Sequence, residues 1–174
     1  HPGAHLGAGE KAGLSNIAGC INKALERGRE WKTRLLLETT AGAGTVLGWR
    51  FEQMAEIIAM VEEKERVGIC YDTAHAFAAG YDIRTEEGYN RTFRELDRIV
   101  GIPRLLAFHL NDSKKECGSR VDRHEHIGKG KIGIEGFSLL MKDPRWEGIP
   151  MILETPEGEK QYAMNLQVLR GLLT

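Results

Sequence analysis

The sequence predicts a parallel α/β fold of the (β/α)8 barrel type, and three observations carry that prediction. First, four short apolar runs each end in a side chain that can ligate a metal. They are Arg34–Leu37 before Glu38, Val67–Tyr71 before Asp72, Leu105–Phe108 before His109 and Pro150–Leu153 before Glu154. Apolar runs bounded by loop residues read as parallel strands buried on both faces, which need not alternate. Second, segments of helical periodicity separate them, giving βα units of roughly 35–45 residues. Third, the polar side chains sit at strand carboxyl ends, the rim where such barrels assemble their sites. Three carboxylates and an imidazole crowded on one rim repel one another and lose hydration unless cations lie between them.

The chain opens on His1-Pro2-Gly3-Ala4-His5, and a fifth strand is expected to end at His1. Leu14–Arg27 has helical spacing through Ile17, Ile21, Ala24 and Leu25, with Ser15 as its expected N-cap. The Glu38 strand leads into Ala41-Gly42-Ala43-Gly44. That loop suits either close backbone approach to a phosphate or a flexible connection, and its composition leaves both open. A helix is expected over Phe51–Glu63, with Met54, Ile57, Ile58 and Val61 on one face. After the Asp72 strand, Thr85-Glu86-Glu87 opens a helix running to Val100. The His109 strand gives way to a long polar loop, Asn111–Gly133, and a helix over Glu135–Met141. The Glu154 strand and a helix over Lys160–Leu173 complete the chain. No linker interrupts this order, so residues 1–174 are expected to form one domain. A full barrel has eight strands and typically ~250 residues. The expectation is therefore the C-terminal part of a longer protein, a partial barrel lacking about three N-terminal βα units.

Composition narrows the function classes. The chain is 41% hydrophobic and 28% charged with a formal net charge of −1, which disfavours a broadly basic nucleic-acid binder but leaves room for a local basic surface. No apolar stretch approaches the ~18 residues of a membrane span, and the N-terminus has neither the basic nor the apolar region of a signal peptide. Cys20, Cys70 and Cys117 are odd in number, widely spaced and form no CxxC pair. Reduced thiols and a cytoplasmic location are expected.

Asp72-Thr73-Ala74-His75 puts an imidazole three residues beyond a strand-end carboxylate. Asp122-Arg123-His124 sets a carboxylate and an imidazole two apart, on the same side of an extended backbone. Mixed His, Asp and Glu ligation suits zinc ahead of manganese or iron. A lone His or Asp at a strand end is usually a hydrogen-bonder or a cap, but four of the six histidines (His1, His75, His109 and His124) fall at such places. Gly128-Lys129-Gly130-Lys131-Ile132-Gly133 matches GxGxxG yet follows a polar loop rather than a strand, so the dinucleotide reading fails its context. Between Lys114 and Lys131 stand Lys114, Lys115, Arg120, Arg123, Lys129 and Lys131 against Glu116, Asp122 and Glu125. With Asp122 on a metal, this surface is basic and close to the metal rim, which points to a phosphate-bearing polymer.

These motifs resemble the endonuclease IV family of zinc-dependent apurinic/apyrimidinic endonucleases. The resemblance rests on His1–His5, Leu37-Glu38-Thr39-Thr40-Ala41-Gly42, Asp72-Thr73-Ala74-His75-Ala76-Phe77-Ala78-Ala79-Gly80-Tyr81-Asp82, His109–Lys114, Gly118-Ser119-Arg120-Val121-Asp122-Arg123-His124 and Ile152-Leu153-Glu154-Thr155. It implies a (β/α)8 barrel with three zinc ions and a deoxyribonuclease IV type phosphodiesterase of base excision repair. The substrate would be double-stranded DNA with abasic sites, cut on the 5′ side, and the protein would be a monomer. Glu38 would bridge two zincs, with His1 completing one and Asp72, His109 and Glu154 the other. His75, Asp122 and His124 would hold the third. Glu38 and Glu154 would be catalytic, and Arg123 would contact DNA phosphate. The family's further His ligand and its DNA-inserting loops lie on earlier segments, so one zinc site is expected to be incomplete here. Residues 1–174 alone are expected to aggregate or stay molten and to cleave poorly. Thr39 and Ala43 stand where the family often has Asn and Gln, and Ala74 where Cys is common. The rival is a metal-dependent sugar isomerase or epimerase on a related barrel. Glu38, Asp72, His109 and Glu154 would satisfy it, but His75, Asp122 and His124 have no task there.

Overall fold

The four apolar runs pair side by side and all point the same way. The computed structural model describes residues 1–173. Its strands are β1 (Gly3–Ala4), β2 (Leu35–Glu38), β3 (Val46–Leu47), β4 (Val67–Asp72), β5 (Leu105–His109), β6 (Asp112–Ser113), β7 (His124–Glu125) and β8 (Met151–Ile152). The helices are α1 (Glu10–Arg27), α2 (Phe51–Met60), α3 (Thr73–Ala79), α4 (Glu86–Ile99), α5 (Gly133–Lys142) and α6 (Glu159–Gly171). The main sheet runs β2-β4-β5-β8, parallel throughout. Parallel neighbours require crossovers, and helices supply them.

Pairing register decides which side chains share a face. Glu38 lies level with Cys70, Asp72 with His109, and His109 with Ile152. Because side chains alternate along a strand, Glu38, Asp72, His109 and Glu154 all fall on one face of the sheet. Tyr71 and Phe108 fall on the other, where they meet Phe93 of α4 and Trp146 with ring centroids 4.9–6.3 Å apart. Edge and tilted contacts of this kind suit the aromatic quadrupole. Truncating the fully buried Phe93 to Ala removes the centre of this group, at a cost of about 3–5 kcal/mol. Leu14, Ile17, Ile21 and Leu25 of α1 and Phe51, Met54, Ile57 and Ile58 of α2 extend the same core.

The β4–β5 ladder is not regular. Ile69 pairs with Leu105 but Cys70 with Ala107, so Leu106 is an extra residue on β5. Gly68 makes room for it, since a Cβ there would stand 2.5 Å from Leu106 Cδ1 and 2.9 Å from the Arg104 carbonyl.

Several elements differ from the sequence expectation. Helix α1 starts at Glu10 behind Gly9, so Ser15 is an exposed residue inside the helix and caps nothing. Helix α2 stops at Met60 because Val61 turns extended. Thr85 does cap α4, its hydroxyl accepting from the Gly88 N–H. Residues 73–79, to which the sequence reading assigns no element, form α3, capped by Asp72 and closed by Gly80 at φ 114°. The polar loop 111–133 contains a hairpin of β6 and β7. In place of a strand ending at His1, β1 pairs antiparallel with β3. No helix among the described residues is long and apolar enough to cross a membrane. All three cysteines are free thiols.

Candidate metal centre

The strand carboxyl ends deliver the side chains, and short polar links lock them. Asp72 is fully buried. One of its oxygens accepts the His75 backbone N–H at 2.8 Å and the other the Asn111 side-chain amide at 2.7 Å. A carboxylate offers about four lone-pair sites, so roughly half of Asp72's remain for other partners. Asn111 also accepts the Glu154 backbone N–H at 2.9 Å, and Thr73 exchanges hydrogen bonds with the Asn111 backbone. One buried amide thus fixes two ligand-bearing strands relative to each other. Thr39 does the same between β2 and β4, donating to the Asp72 carbonyl and accepting the Asp72 N–H.

The sequence-predicted residues converge into three contiguous groups. These are His1, Glu38 and His75; Asp72, His75 and His124; and Glu38, Asp72, His109 and Glu154, with ligand atoms in each lying within 4.8 Å of one another. Each pair of groups shares one residue: Glu38, His75 or Asp72. His109 Nδ1 stands 2.9 Å from Glu38 and 3.1 Å from Glu154. Asp122 joins the second group from the loop, 3.2 Å from His75 Nε2 and 3.4 Å from His124 Nε2. The two Nε2 atoms are themselves 3.2 Å apart.

That last pair tests whether a cation fits. His75 Nδ1 is 2.9 Å from the Thr39 carbonyl and His124 Nδ1 is 3.0 Å from the Glu154 carbonyl. Carbonyls only accept, so each Nδ1 carries a proton and each Nε2 is the nitrogen left for a cation or a further proton. A cation placed between them would take both lone pairs together with Asp122. Tetrahedral zinc with Zn–N bonds of ~2.0–2.1 Å separates its nitrogens by about 3.3 Å, close to the spacing here. The donor set fits the metal.

Without a cation, protons take over the neutralising role. Burial disfavours charge on His75, but Asp122 and Glu38 outweigh it and push its pKa up to about 11. The Cys70 and Glu38 side chains push His109 up to about 10. Burial opposes ionisation of Glu38, yet His109 and His75 hold its carboxyl well below the usual range. His75 draws Asp122 down likewise. Burial pushes Asp72 up, opposed by His75 and His124.

Asp112 follows His109 closely in the chain and is buried as deeply as Asp72, yet it belongs to none of these groups. Its oxygens accept four backbone N–H groups, from Ser113 and Ile132 on one and Gly130 and Gly133 on the other. The Gly128–Gly133 motif therefore wraps an internal carboxylate rather than a phosphate. A Cβ on Gly130 would lie 2.5 Å from Asp112 Oδ1, which is why glycine stands there. Burial pushes the Asp112 carboxyl up while the four N–H groups pull against it. Sequence reading missed Thr39, Thr73, Asn111 and Asp112 as positioning residues. The available signal was the run of polar residues directly after apolar strands.

Gly42 makes a similar correction in the Gly-rich loop. At φ 77°, a Cβ there would come within 2.6 Å of Trp49 Cγ, so the close approach is to an indole. Arg123 is exposed, and its guanidinium donates to the Asp122 carbonyl at 2.6 Å.

A model of the xylose isomerase-like TIM barrel family matches residues 1–172. A probable endonuclease 4 of Chloroflexus aurantiacus is 57% identical over 99% of this chain and 61% of that protein. One from Geobacter sulfurreducens is 53% identical over 99% of this chain and 59% of that protein. A crystal structure of endonuclease IV from Thermus thermophilus superposes with a TM-score of 0.80 at 42% identity, covering 92% of this chain and 57% of that one. The chain spans about three fifths of the length of the curated relatives it matches.

Proposed function

Because the chain belongs to the xylose isomerase-like TIM barrel family and its relatives are named endonuclease 4, we propose that it forms the metal rim of a zinc-dependent apurinic/apyrimidinic endonuclease. The reaction is hydrolysis of the phosphodiester 5′ to an abasic site in duplex DNA, leaving a 3′-hydroxyl and a 5′-deoxyribose phosphate. The observation that carries the reading is the His75–Asp122–His124 group, whose two Nε2 atoms face each other at 3.2 Å. A sugar isomerase needs only the Glu38, Asp72, His109 and Glu154 set and gives this second group no task.

In this reading His1 and Glu38 border one cation. Glu38, Asp72, His109 and Glu154 hold another, and His75, Asp122 and His124 a third, with Glu38 shared between the first two. Bound zinc supplies Lewis-acid neutralisation of phosphate charge and lowers the pKa of water from 15.7 to about 7. The protein's own groups do the remaining work. Glu154 is the most open of the four strand-end ligands, its side chain 46% exposed against 15% for Glu38, 18% for His109 and none for Asp72. That exposure gives it the best access to an incoming water, and it takes the proton as water attacks phosphorus. Asn111 keeps Glu154 aimed by holding its backbone N–H. Arg123, exposed between two ligands, contacts a DNA phosphate. An abasic nucleotide is cheap to extrude toward the rim, since no base stacking or pairing is lost at the lesion.

The test uses the full-length protein that contains this chain and a duplex with one abasic site. Incision 5′ to the lesion, abolished by a chelator and restored by zinc, is the expected result. Incision on the 3′ side, or activity indifferent to chelation, would refute the reading.

A further inference from the structure

Among the described residues only Leu6, Arg120 and Glu157 are non-glycine residues with positive φ. Each lies within five positions of a proposed ligand, namely His1, Asp122 and Glu154. L-residues keep such a conformation only where the surroundings hold it, and held strain of this kind collects at functional sites. Arg120, at φ 54°, has the clearest restraints. Its backbone N–H donates to the Ala78 carbonyl at 2.9 Å, and that of Gly118 to the Phe77 carbonyl at 3.0 Å, pinning the loop to the end of α3. Its guanidinium lies 3.7 Å from the centroid of the Trp49 ring. Trp49 in turn rests against Gly42, the position with no room for a Cβ.

Three arginines stand near this part of the rim, and they are engaged differently. Arg50 also approaches the Trp49 ring, at 5.2 Å, but it is paired with the Glu10 carboxylate. Arg123 is turned onto its own Asp122 carbonyl. Arg120 is exposed and, among the described residues, pairs with no carboxylate. A guanidinium stacked on an indole keeps its charge and leaves the in-plane N–H groups free to bind a phosphate in bidentate fashion.

We propose that Trp49 and Arg120 form a pre-oriented clamp for a backbone phosphate of the DNA, two residues from the Asp122 ligand, with Trp49 as the platform and Arg120 as the contact. This rests on the endonuclease reading above. Arg120 makes the phosphate contact, Trp49 acts through Arg120, and neither touches the metals. The clamp acts on binding rather than on chemistry.

The experiment measures kcat and KM of the full-length protein on an abasic duplex across a range of salt concentrations, with zinc content as a control. Arg120→Ala is expected to raise KM about tenfold, leave kcat and zinc content unchanged, and make the slope of log(kcat/KM) against log salt shallower by about one counterion. Arg120→Lys keeps the charge and so the slope, but it loses the stacked fork and raises KM. Trp49→Leu raises KM without changing the slope, and Trp49→Phe restores KM. An Arg120→Ala protein with unchanged KM and slope overturns the clamp, as does one that loses zinc while Arg120→Lys behaves as wild type. A wild-type protein that leaves the duplex uncut refutes the endonuclease reading and the clamp with it; a wild type that cuts beside an unaltered Arg120→Ala refutes the clamp alone.

Discussion

Asp72, at the end of β4, and Asp112, three residues beyond β5, are both completely buried carboxylates, and they do opposite things with their lone pairs. Asp112 receives four backbone N–H groups, two on each oxygen, and has nothing left to offer a cation. Asp72 receives one donor on each oxygen, and its remaining capacity faces His75, His109 and His124 at 3.7–3.9 Å. Burial and residue type are identical. The number of donors already spent on the carboxylate separates a ligand from a structural brace.

That contrast can be broken experimentally, most severely at Asp72. Asp72→Asn keeps the shape but places an amide among imidazoles, and it is expected to cut cleavage by at least about 10²-fold with loss of bound zinc. A variant with full zinc content would mean that Asp72 is a brace as well. Next come Asp122→Ala and His124→Ala, each expected to release one zinc and most activity while the melting transition of the protein is kept. Elemental analysis decides this, since unchanged stoichiometry in both variants dissolves the third group. Asp112→Asn should behave in the opposite sense. Its amide would aim N–H at N–H, costing about 2–4 kcal/mol by denaturant unfolding. Zinc loss from this variant without destabilisation would erase the distinction between the two aspartates.

Metal removal sharpens the same point through protons. His75 and His109, raised from 6.5 to about 11 and about 10, are protonated at neutral pH in the metal-free protein. Their contribution to stability is fully present below pH 6.5 and is lost as pH rises through those raised values. Rebinding of zinc at pH 7 should therefore release about two protons, read by calorimetry in buffers of different ionisation heat. Release of none would place both imidazoles in their neutral form. The smallest effect belongs to Arg123→Ala, which should leave zinc in place and reduce the salt slope of DNA binding by about one. An identical slope would remove Arg123 from the phosphate surface.

The sequence disclosed more of the site than of its supports. Glu38, Asp72, His109 and Glu154 were legible because each ends an apolar run, and strand polarity then forces them onto one rim. The start of α4 was legible at Thr85-Glu86-Glu87 from local chemistry alone. Helix α3 was not recognised, because a helix buried on nearly all sides shows no amphipathic period, although Asp72 before Ala-rich residues and Gly80 after them were available as start and stop signals. Ser15 misled because a good N-cap residue in mid-helix looks the same as one at the start until the preceding turn is seen. Asn111, Thr39 and three of the four N–H groups on Asp112 depend on partners 18 to 43 positions away, which no local pattern encodes.

The extra residue Leu106 has a consequence for which changes in length this protein tolerates. Because it stands outside the ladder, its loss would leave Ala107, Phe108 and His109 level with Cys70, Tyr71 and Asp72 and would make the pairing regular from Ile69–Leu105 onward. The strand can therefore absorb one deletion at the bulge with the rim ligand still in register. A second deletion in β5 would bring His109 level with Tyr71 and turn it toward the helices, exchanging a ligand of the rim for a ring of the core. Such a chain would align with its relatives over nearly every position and still be unable to assemble the centre.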